Sequence, residues 1–183
     1  MALVPAWFKR RQNNDERACD DWSLAARAAR SNPALTELYS RHADRTYRMA
    51  YGLLGDTQAA EDATQESFLR LTRAAPRHQN AAFTTWFSAI VLNVCRELRR
   101  QRPPLVSSLE ETPVTAADAA ERGRSLAELI RALAELPARQ REVVVLRYLE
   151  GFTAPETAAL LDCEVGTVKT HLHRATQKLR CQL

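Results

Sequence analysis

The chain has 183 residues, a formal net charge of +4 and a pI near 9.1. This length suits one ordinary domain or two small ones. Its 45% hydrophobic and 26% charged residues are typical of a soluble protein and exclude collagen, low-complexity disorder and a disulfide-rich miniprotein. Only 5 glycines are present, too few for the turns of an all-β sandwich or barrel, so we expect an all-α protein.

The amino-terminal segment shows no sign of export. Residues 1–20 are polar and irregular, which predicts a flexible tail. Its short apolar patch precedes the cluster Lys9–Arg11, the reverse of the order in a secretory signal. No apolar run in the chain approaches the roughly 18 residues of a membrane span. We therefore expect no direct membrane insertion and a cytoplasmic location.

A first helical domain is predicted over residues 21–102. Apolar residues between Leu38 and Leu53 recur at spacings of three and four, which predicts one face of a long helix. Gly55 is suited to end this helix, and Asp56 is suited to cap the next one. That second helix is expected to end at Pro76.

A third helix with a broad apolar face is predicted from Phe83 to Leu98. Arginines cluster near its end, at Arg96, Arg99, Arg100 and Arg102. The Pro103-Pro104 pair stops it. Between residues 103 and 121 there are four acidic residues and no Lys or Arg, so residues 103–124 are predicted to be a flexible acidic linker between two domains.

The second domain, residues 125–183, ends in a helix-turn-helix pattern. A helical stripe is followed by Pro137, which fits the first turn of a new helix that Gly151 ends. Thr153 and Glu156 have the spacing of a capping box. The short helix they begin should reach Leu161, and after a break at residues 162–164 a basic helix follows from about residue 166 to 180.

The last helix is the best candidate for binding DNA. Hydroxyl, imidazole and cationic groups suit base edges and phosphates. Those on or near its outer face are Thr167, Lys169, Thr170, His173 and Arg174. The alternative is a basic, solvated helix in an ordinary bundle, which the pattern favours less.

A second candidate surface lies on the third helix. Asn93, Arg96 and Arg100 are spaced three and four apart, beside the aromatic pair Trp86 and Phe87. Aromatic rings next to a basic, amide-bearing stripe suit unstacked single-stranded bases. The alternative, which composition alone slightly favours, is that the aromatics are core residues and the arginines are solvated.

A third candidate surface lies on the helix over residues 57–75. Asp62, Gln65, Glu66 and Leu69 share a face that could dock a protein. The segment taken alone favours a solvated face with a Glu66–Arg70 ion pair, worth a few tenths of a kcal/mol.

No set of residues for catalysis or metal binding is apparent. There is no glycine-rich phosphate loop, no HExxH motif and no serine nucleophile elbow. The four cysteines form no CxxC pair, and we expect isolated thiols at Cys19, Cys95, Cys163 and Cys181. We therefore expect neither a cofactor nor a metal.

These segments, in this order, resemble bacterial sigma factors of the extracytoplasmic-function (ECF) group over roughly residues 21–183. Three segments resemble sigma region 2: LTELYSRHADRTYRMAYGLLGD, AAEDATQESFLRL and FTTWFSAIVLNVCRELRR. The stretch from LAELPARQREVVVLRYLEG to VGTVKTHLHRATQKLR resembles region 4. The resemblance implies a non-enzymatic subunit that binds the β′ and β subunits of core RNA polymerase and both duplex and melted promoter DNA. It also implies an anti-sigma factor, which could hold the chain at the membrane, and association with the nucleoid when active.

The resemblance assigns roles residue by residue. Binding to the β′ coiled coil falls to Asp62, Gln65, Glu66 and Phe68. Contact with the melted minus-ten element falls to Trp86, Asn93, Arg96, Arg99 and Arg100. Contact with the minus-thirty-five duplex falls to Arg147, Thr167, Lys169, Thr170, His173 and Arg174. Asp162 departs from the glycine common in the turn, but Asp tolerates the left-handed conformation better than most residues.

Two functions from different classes remain at this point. The first is a dissociable initiation subunit that recognises promoters for a stress- or signal-responsive regulon. The second is a free-standing helix-turn-helix regulator whose first domain only senses or dimerises. Charge reversal at Asp62 or Glu66 should abolish polymerase binding in the first case and be silent in the second.

Overall fold

The computed structural model describes residues 15–74, 82–101 and 128–182, and within these ranges the chain is helical with no strand. This confirms the all-α prediction. The helices are α1 Asp15–Ala28, α2 Asn32–Leu54, α3 Thr57–Arg73, α4 Phe83–Gln101, α5 at residues 128–134, α6 Ala138–Val144, α7 Ala154–Leu161 and α8 Val165–Gln182. A π-helical turn, Val145–Leu149, continues α6.

One predicted boundary is wrong. The predicted flexible tail, residues 1–20, overlaps α1, which already begins at Asp15. The helix buries Trp22, Ala25 and Ala28 along one side. This packing stabilises the whole helix, including the turns before Trp22, where the sequence shows no apolar pattern. Residues 1–14 and the predicted linker at residues 103–124 lie outside the described residues.

The junction between α2 and α3 forms as its residues predict. Gly55 has φ 73°, in the left-handed region, and its N–H bonds to the carbonyl of Tyr51. The Asp56 carboxylate then accepts a hydrogen bond of 2.6 Å from the backbone N–H of Ala59. Together they turn the chain within two residues, so α3 packs back along α2.

Small side chains let α3 approach its neighbours closely. Ala60, Ala63 and Ser67 are fully buried on its inner face. The Ser67 hydroxyl donates to the carbonyl of Ala63 at 2.6 Å, and the Thr64 hydroxyl donates to the carbonyl of Ala60 at 2.8 Å. Both buried hydroxyls are therefore satisfied within the helix, and the inner face of α3 is free for apolar packing.

Aromatic rings fill the space between α1, α2, α3 and α4. Phe83 is fully buried, with its ring centroid 5.4 Å from Trp22 and 5.8 Å from Phe87. Phe87 in turn lies 5.0 Å from Phe68 of α3. Ring pairs at these separations stabilise a core beyond their area alone.

The helix-turn-helix is built as predicted, apart from one register detail. Pro137 is the N-cap of α6 rather than a residue of its first turn. Thr153 and Glu156 form a complete capping box. Asp162 has φ 52° and ends α7 in the left-handed conformation, as expected of an Asp that replaces the turn glycine.

The two predicted domains pack against each other and share a core. Gly52 of α2 faces the π-helical turn so closely that a Cβ there would lie 2.8 Å from Leu149 Cδ1 and 3.2 Å from Val145 Cγ2. The buried Leu146 and Phe152 belong to the same apolar cluster as Leu38 and other residues of the first domain. The π-helical turn, which the apolar pattern did not predict, thus lies at the contact between the domains.

Candidate functional site

The outer face of α8 is exposed. Val168 is fully buried between α7 and α8, and Leu161 and Ala158 are buried beside it. This packing directs the opposite side of α8 to solvent. The residues predicted to contact duplex DNA from this helix are all exposed: Thr167, Lys169, Thr170, His173 and Arg174.

The polar groups on this face are largely unengaged. Thr170 donates its hydroxyl to the carbonyl of Gly166 at 3.0 Å, within the helix. Within the described residues, no ion pair involves Lys169 or Arg174. A basic helix with free cationic side chains is the arrangement that a helix-turn-helix presents to the major groove.

Arg147, the sixth residue predicted to contact duplex DNA, has a different position. It lies in the π-helical turn, is half-buried, and donates through Nη1 to the carbonyl of Phe152. Its Nε is buried and has no hydrogen-bond partner among the described residues. In this arrangement Arg147 braces the loop before α7.

The basic face of α4 is divided. Asn93 and Arg100 are exposed, whereas Arg96 and Arg99 are partly buried and engaged. Their partner is Glu142 of α6, a residue of the other domain whose side chain is only 1% exposed. Of the four polar residues of α4 predicted to contact the minus-ten element, Asn93 and Arg100 are therefore accessible, and Arg96 and Arg99 are engaged by Glu142.

Glu142 is held by three arginines. Arg96 forms a bidentate pair, from Nε to Oε1 at 3.0 Å and from Nη2 to Oε2 at 2.8 Å. Arg99 Nη2 also donates to Oε1 at 3.0 Å. Arg139, on the same helix as Glu142, approaches Oε2 at 3.3 Å. Such forked charge-assisted hydrogen bonds are among the strongest polar contacts in proteins.

The electrostatics of this cluster favour its charged form. Burial alone would raise the pKa of the Glu142 carboxyl, but the hydrogen bonds from Arg96 and Arg99 outweigh it and hold that pKa below its ordinary value. The hydrogen bonds to Glu142 raise the pKa of Arg96 in turn. Nearby, burial raises the pKa of the Cys95 thiol to about 12, so this cysteine is an inert core residue at neutral pH.

Trp86 lies where the aromatic core of the first domain meets its surface. It is half-buried, with its ring centroid 5.0 Å from Trp22 and 5.7 Å from Phe83. The first domain therefore holds the ring in a defined orientation while part of it stays accessible next to the α4 stripe.

The predicted docking residues of α3 lie in three environments. Gln65 is exposed, and Asp62 accepts a hydrogen bond of 3.3 Å from Gln58. Glu66 pairs with Arg70 at 2.7 Å, and Arg70 also forks onto Glu97 of α4. The surface thus combines a polar edge with a carboxylate that is already engaged.

Phe68 requires a correction. It is 4% exposed, with its ring centroid 4.9 Å from Tyr39 and 5.0 Å from Phe87. It is therefore a core residue that packs beneath the predicted docking residues and is not itself accessible to a partner in this conformation. The apolar surface there belongs instead to Leu69 and Tyr39, which are 48% and 46% exposed.

Sequence reasoning missed the contacts between the domains. Arg45 of α2 donates to Glu150 at 2.5 Å and stacks its guanidinium over the Phe152 ring at 5.7 Å. Arg141 of α6 donates to the carbonyl of Leu53 at 2.9 Å. One signal was available, because Glu142 shares the helical face of Leu146 and Leu149 and is thus an acid at a core position.

Two features are absent from the part of the chain that the structure describes. No helix there is long and apolar enough to cross a membrane. No group of three or more His, Cys, Asp or Glu side chains in those ranges is arranged to hold a metal ion.

Comparisons with known proteins agree with this organisation. The family model of Sigma-70 region 2 matches residues 38–103, and that of Sigma-70 region 4 matches residues 126–179. The chain is 35% identical over 156 residues to the ECF RNA polymerase sigma factor SigE of Mycolicibacterium smegmatis, covering 81% of this chain and 61% of SigE. It is 33% identical over 159 residues to SigM of Mycobacterium tuberculosis, covering 85% of this chain and 80% of SigM.

A solved structure has a similar fold. CnrH, in complex with the cytosolic domain of CnrY, superposes with a TM-score of 0.63 and 29% identity, covering 88% of this chain and 95% of CnrH. Because both sigma regions occur in order on one chain, and SigM is covered over most of its length, the chain belongs to the ECF sigma factors of RNA polymerase.

Proposed function

We propose that this chain is a dissociable initiation subunit that binds core RNA polymerase, recognises promoter DNA and assists its melting. Sigma factors are non-catalytic regulators of transcription, and we assign no enzymatic activity or cofactor to this one. The observation that carries the proposal is the pairing of an exposed, basic helix-turn-helix with a region 2 match on the same chain.

Recognition of the minus-thirty-five duplex is assigned to α8. Its exposed Lys169, His173 and Arg174 lie in the N-terminal half of the helix, about one to two and a half turns from its start. Recognition helices contact bases through their N-terminal residues. Each base-edge contact would contribute about 1–3 kcal/mol of discrimination. Contacts to phosphate would add affinity that falls as salt rises.

Contact with the melted minus-ten strand is assigned to α4 and Trp86. Asn93 is an exposed amide on the same helix as the half-buried Trp86 ring. An unstacked base can stack on an aromatic ring and bond to an amide, which offsets the few kcal/mol that unstacking costs. Arg96, Arg99 and Arg100 would then hold the strand through its phosphates.

Docking on polymerase is assigned to the surface of α3. Asp62, Gln65 and Glu66 supply polar contacts, and Leu69 supplies exposed apolar area next to them. A polar rim beside an exposed apolar side chain is typical of a protein interface. Two tethered binding domains would also gain from effective concentration once either of them had docked.

An anti-sigma factor is a further proposed partner. CnrH was solved in complex with the cytosolic domain of CnrY, and this chain resembles CnrH over most of its length. A membrane-bound partner of this kind would hold the chain at the membrane until a signal releases it to the nucleoid.

The test is run-off transcription with purified core polymerase on a pool of promoter fragments. We expect new transcripts that depend on the chain and are lost in Asp62→Arg, which reverses a charge on the docking face. Glu128→Arg, at an exposed residue of the second domain, is the matched control and should retain activity. Duplex binding without transcripts and without core association would instead support a free-standing regulator.

A further inference from the structure

Two arginines assigned to melted DNA are occupied by a carboxylate of the other domain. Arg96 uses both Nε and Nη2 on Glu142, at 3.0 and 2.8 Å, and Arg99 uses Nη2 on the same carboxylate at 3.0 Å. A carboxylate and a phosphate present the same kind of paired anionic oxygens to a guanidinium fork. A strand phosphate can bind these nitrogens only after Glu142 has left them.

Other contacts between the two domains hold α6, and with it Glu142, in this position. The Arg45–Glu150 pair and the bond from Arg141 to the Leu53 carbonyl both join α2 to the second domain. Gly52 has no side chain where α2 meets Val145 and Leu149. We call the contact of Glu142 with Arg96 and Arg99 the clasp. It is part of an extended interface between the domains. An isolated surface ion pair would contribute little to stability.

The closed arrangement leaves the duplex-binding face accessible. The residues of α8 assigned to the minus-thirty-five element remain exposed while Glu142 holds α4. The contact thus covers one of the two DNA sites and leaves the other open.

We propose that Glu142 is an intramolecular competitor that closes the chain and blocks the α4 site from single-stranded DNA until the domains separate. The inference depends on the proposed role of Arg96 and Arg99 in binding the melted strand. Polymerase and duplex DNA, by holding the two domains apart, would release the clasp. The closed form is then unable to hold melted DNA, and the free chain binds a single strand only through the fraction of molecules whose domains have separated.

A reversible crosslink tests the proposal. A Cβ at Gly52 would lie 3.2 and 3.7 Å from the two γ-carbons of Val145, so Gly52→Cys with Val145→Cys places two thiols within reach of a disulfide. Cys19, Cys163 and Cys181 are changed to Ser, and Cys95 stays because it is buried. The full-length chain is oxidised with copper phenanthroline or reduced with dithiothreitol, and fluorescence anisotropy measures binding to a single-stranded oligonucleotide and to a duplex.

We expect the oxidised chain to bind the single strand at least tenfold more weakly than the reduced chain, with duplex affinity unchanged within twofold. Equal single-strand affinity in the two states would overturn the proposal. A second variant avoids the crosslink: Glu142→Gln should bind the single strand at least threefold more tightly than wild type, and Glu128→Gln should not. An unchanged affinity for Glu142→Gln would also overturn it.

Failure of the proposed function would be visible separately. If the wild-type chain gives no transcripts with core polymerase, the sigma role fails. A crosslink that still switches single-strand affinity would in that case support the clasp on its own.

Discussion

The two faces predicted to bind DNA carry similar residues but differ in availability. On α8, Lys169, His173 and Arg174 are exposed. On α4, Arg96 and Arg99 are engaged by Glu142, which is 1% exposed. Residue type and helical spacing are the same kind of signal in both places, yet the α8 face is exposed at all its predicted residues and the α4 face only at Asn93 and Arg100.

The difference shows that a residue assigned to DNA binding can also be a structural one. Val168 packs on the side of α8 opposite its polar face, so burying the apolar side of this helix leaves its polar residues exposed. On α4, the polar stripe itself meets the second domain. Access to that stripe therefore depends on how firmly the two domains pack, and the following predictions change that packing or compare the two faces.

The largest effect is expected from the shared core. Phe152→Ala removes a ring that is 1% exposed and lies under the Arg45 guanidinium, so the free energy of unfolding should fall by about 3–5 kcal/mol. Urea denaturation measures the change. Tyr148→Ala, at a residue 47% exposed nearby, should cost far less. Equal costs for the two variants would show that the second domain does not pack on α2.

The second prediction compares the two faces directly. On a promoter duplex recovered from the transcription assay, Arg174→Ala should weaken binding of the free chain by about 1–3 kcal/mol, because Arg174 is exposed and available. Arg96→Ala should leave duplex affinity unchanged within twofold, because Glu142 already engages it. Anisotropy titrations of both variants provide the measurement, and equal losses would contradict the closed arrangement.

A smaller effect is expected at the N-cap of α7. Thr153 accepts from the Glu156 N–H, and its own N–H bonds to the Glu156 carboxylate at 2.6 Å. Thr153→Ala should lower the free energy of unfolding by about 1 kcal/mol, and Thr153→Ser should preserve it. Thermal and urea denaturation report the cost. If the Ser variant loses as much as the Ala variant, the capping hydroxyl is not what stabilises the helix start.

The smallest effect is a difference in acid sensitivity. The pKa of Glu142 is below its ordinary value of about 4.3, so the folded carboxylate binds fewer protons than the unfolded one. Its stabilising contribution is complete above that ordinary value and is lost as pH falls through the folded pKa. Four guanidinium groups face this carboxylate: those of Arg96, Arg99 and Arg139 donate hydrogen bonds to it, and that of Arg141 interacts with it electrostatically.

The urea midpoint of the wild type should therefore fall more between pH 6 and pH 3.5 than that of Glu142→Gln. Asp21, whose pKa is also lowered, titrates in both proteins and cancels in the comparison. Burial would raise that pKa, but the hydrogen bonds and charges of His42 and Arg41 outweigh it. Parallel midpoints for the two proteins would show that the Glu142 clasp does not contribute to stability.

Local patterns predicted the elements well because their causes are local. The left-handed Gly55, the Asp56 cap, the Thr153–Glu156 capping box and the turn at Asp162 all depend on residues within a few positions of one another. Helix α1 begins at Asp15, inside the predicted flexible tail, because packing against distant helices, and not its own pattern, stabilises that end.

The amino-acid sequence was thus sufficient to predict the main helices, the helix-turn-helix and the resemblance to the ECF sigma factors. The folded arrangement alone revealed that Arg147 holds the loop before α7 and that Glu142 engages Arg96 and Arg99. Helix caps and apolar faces arise from neighbours in sequence, whereas Arg96 and Glu142 are 46 residues apart. Which cations face solvent and which are held depends on contacts between such distant segments, and periodicity carries no information about them.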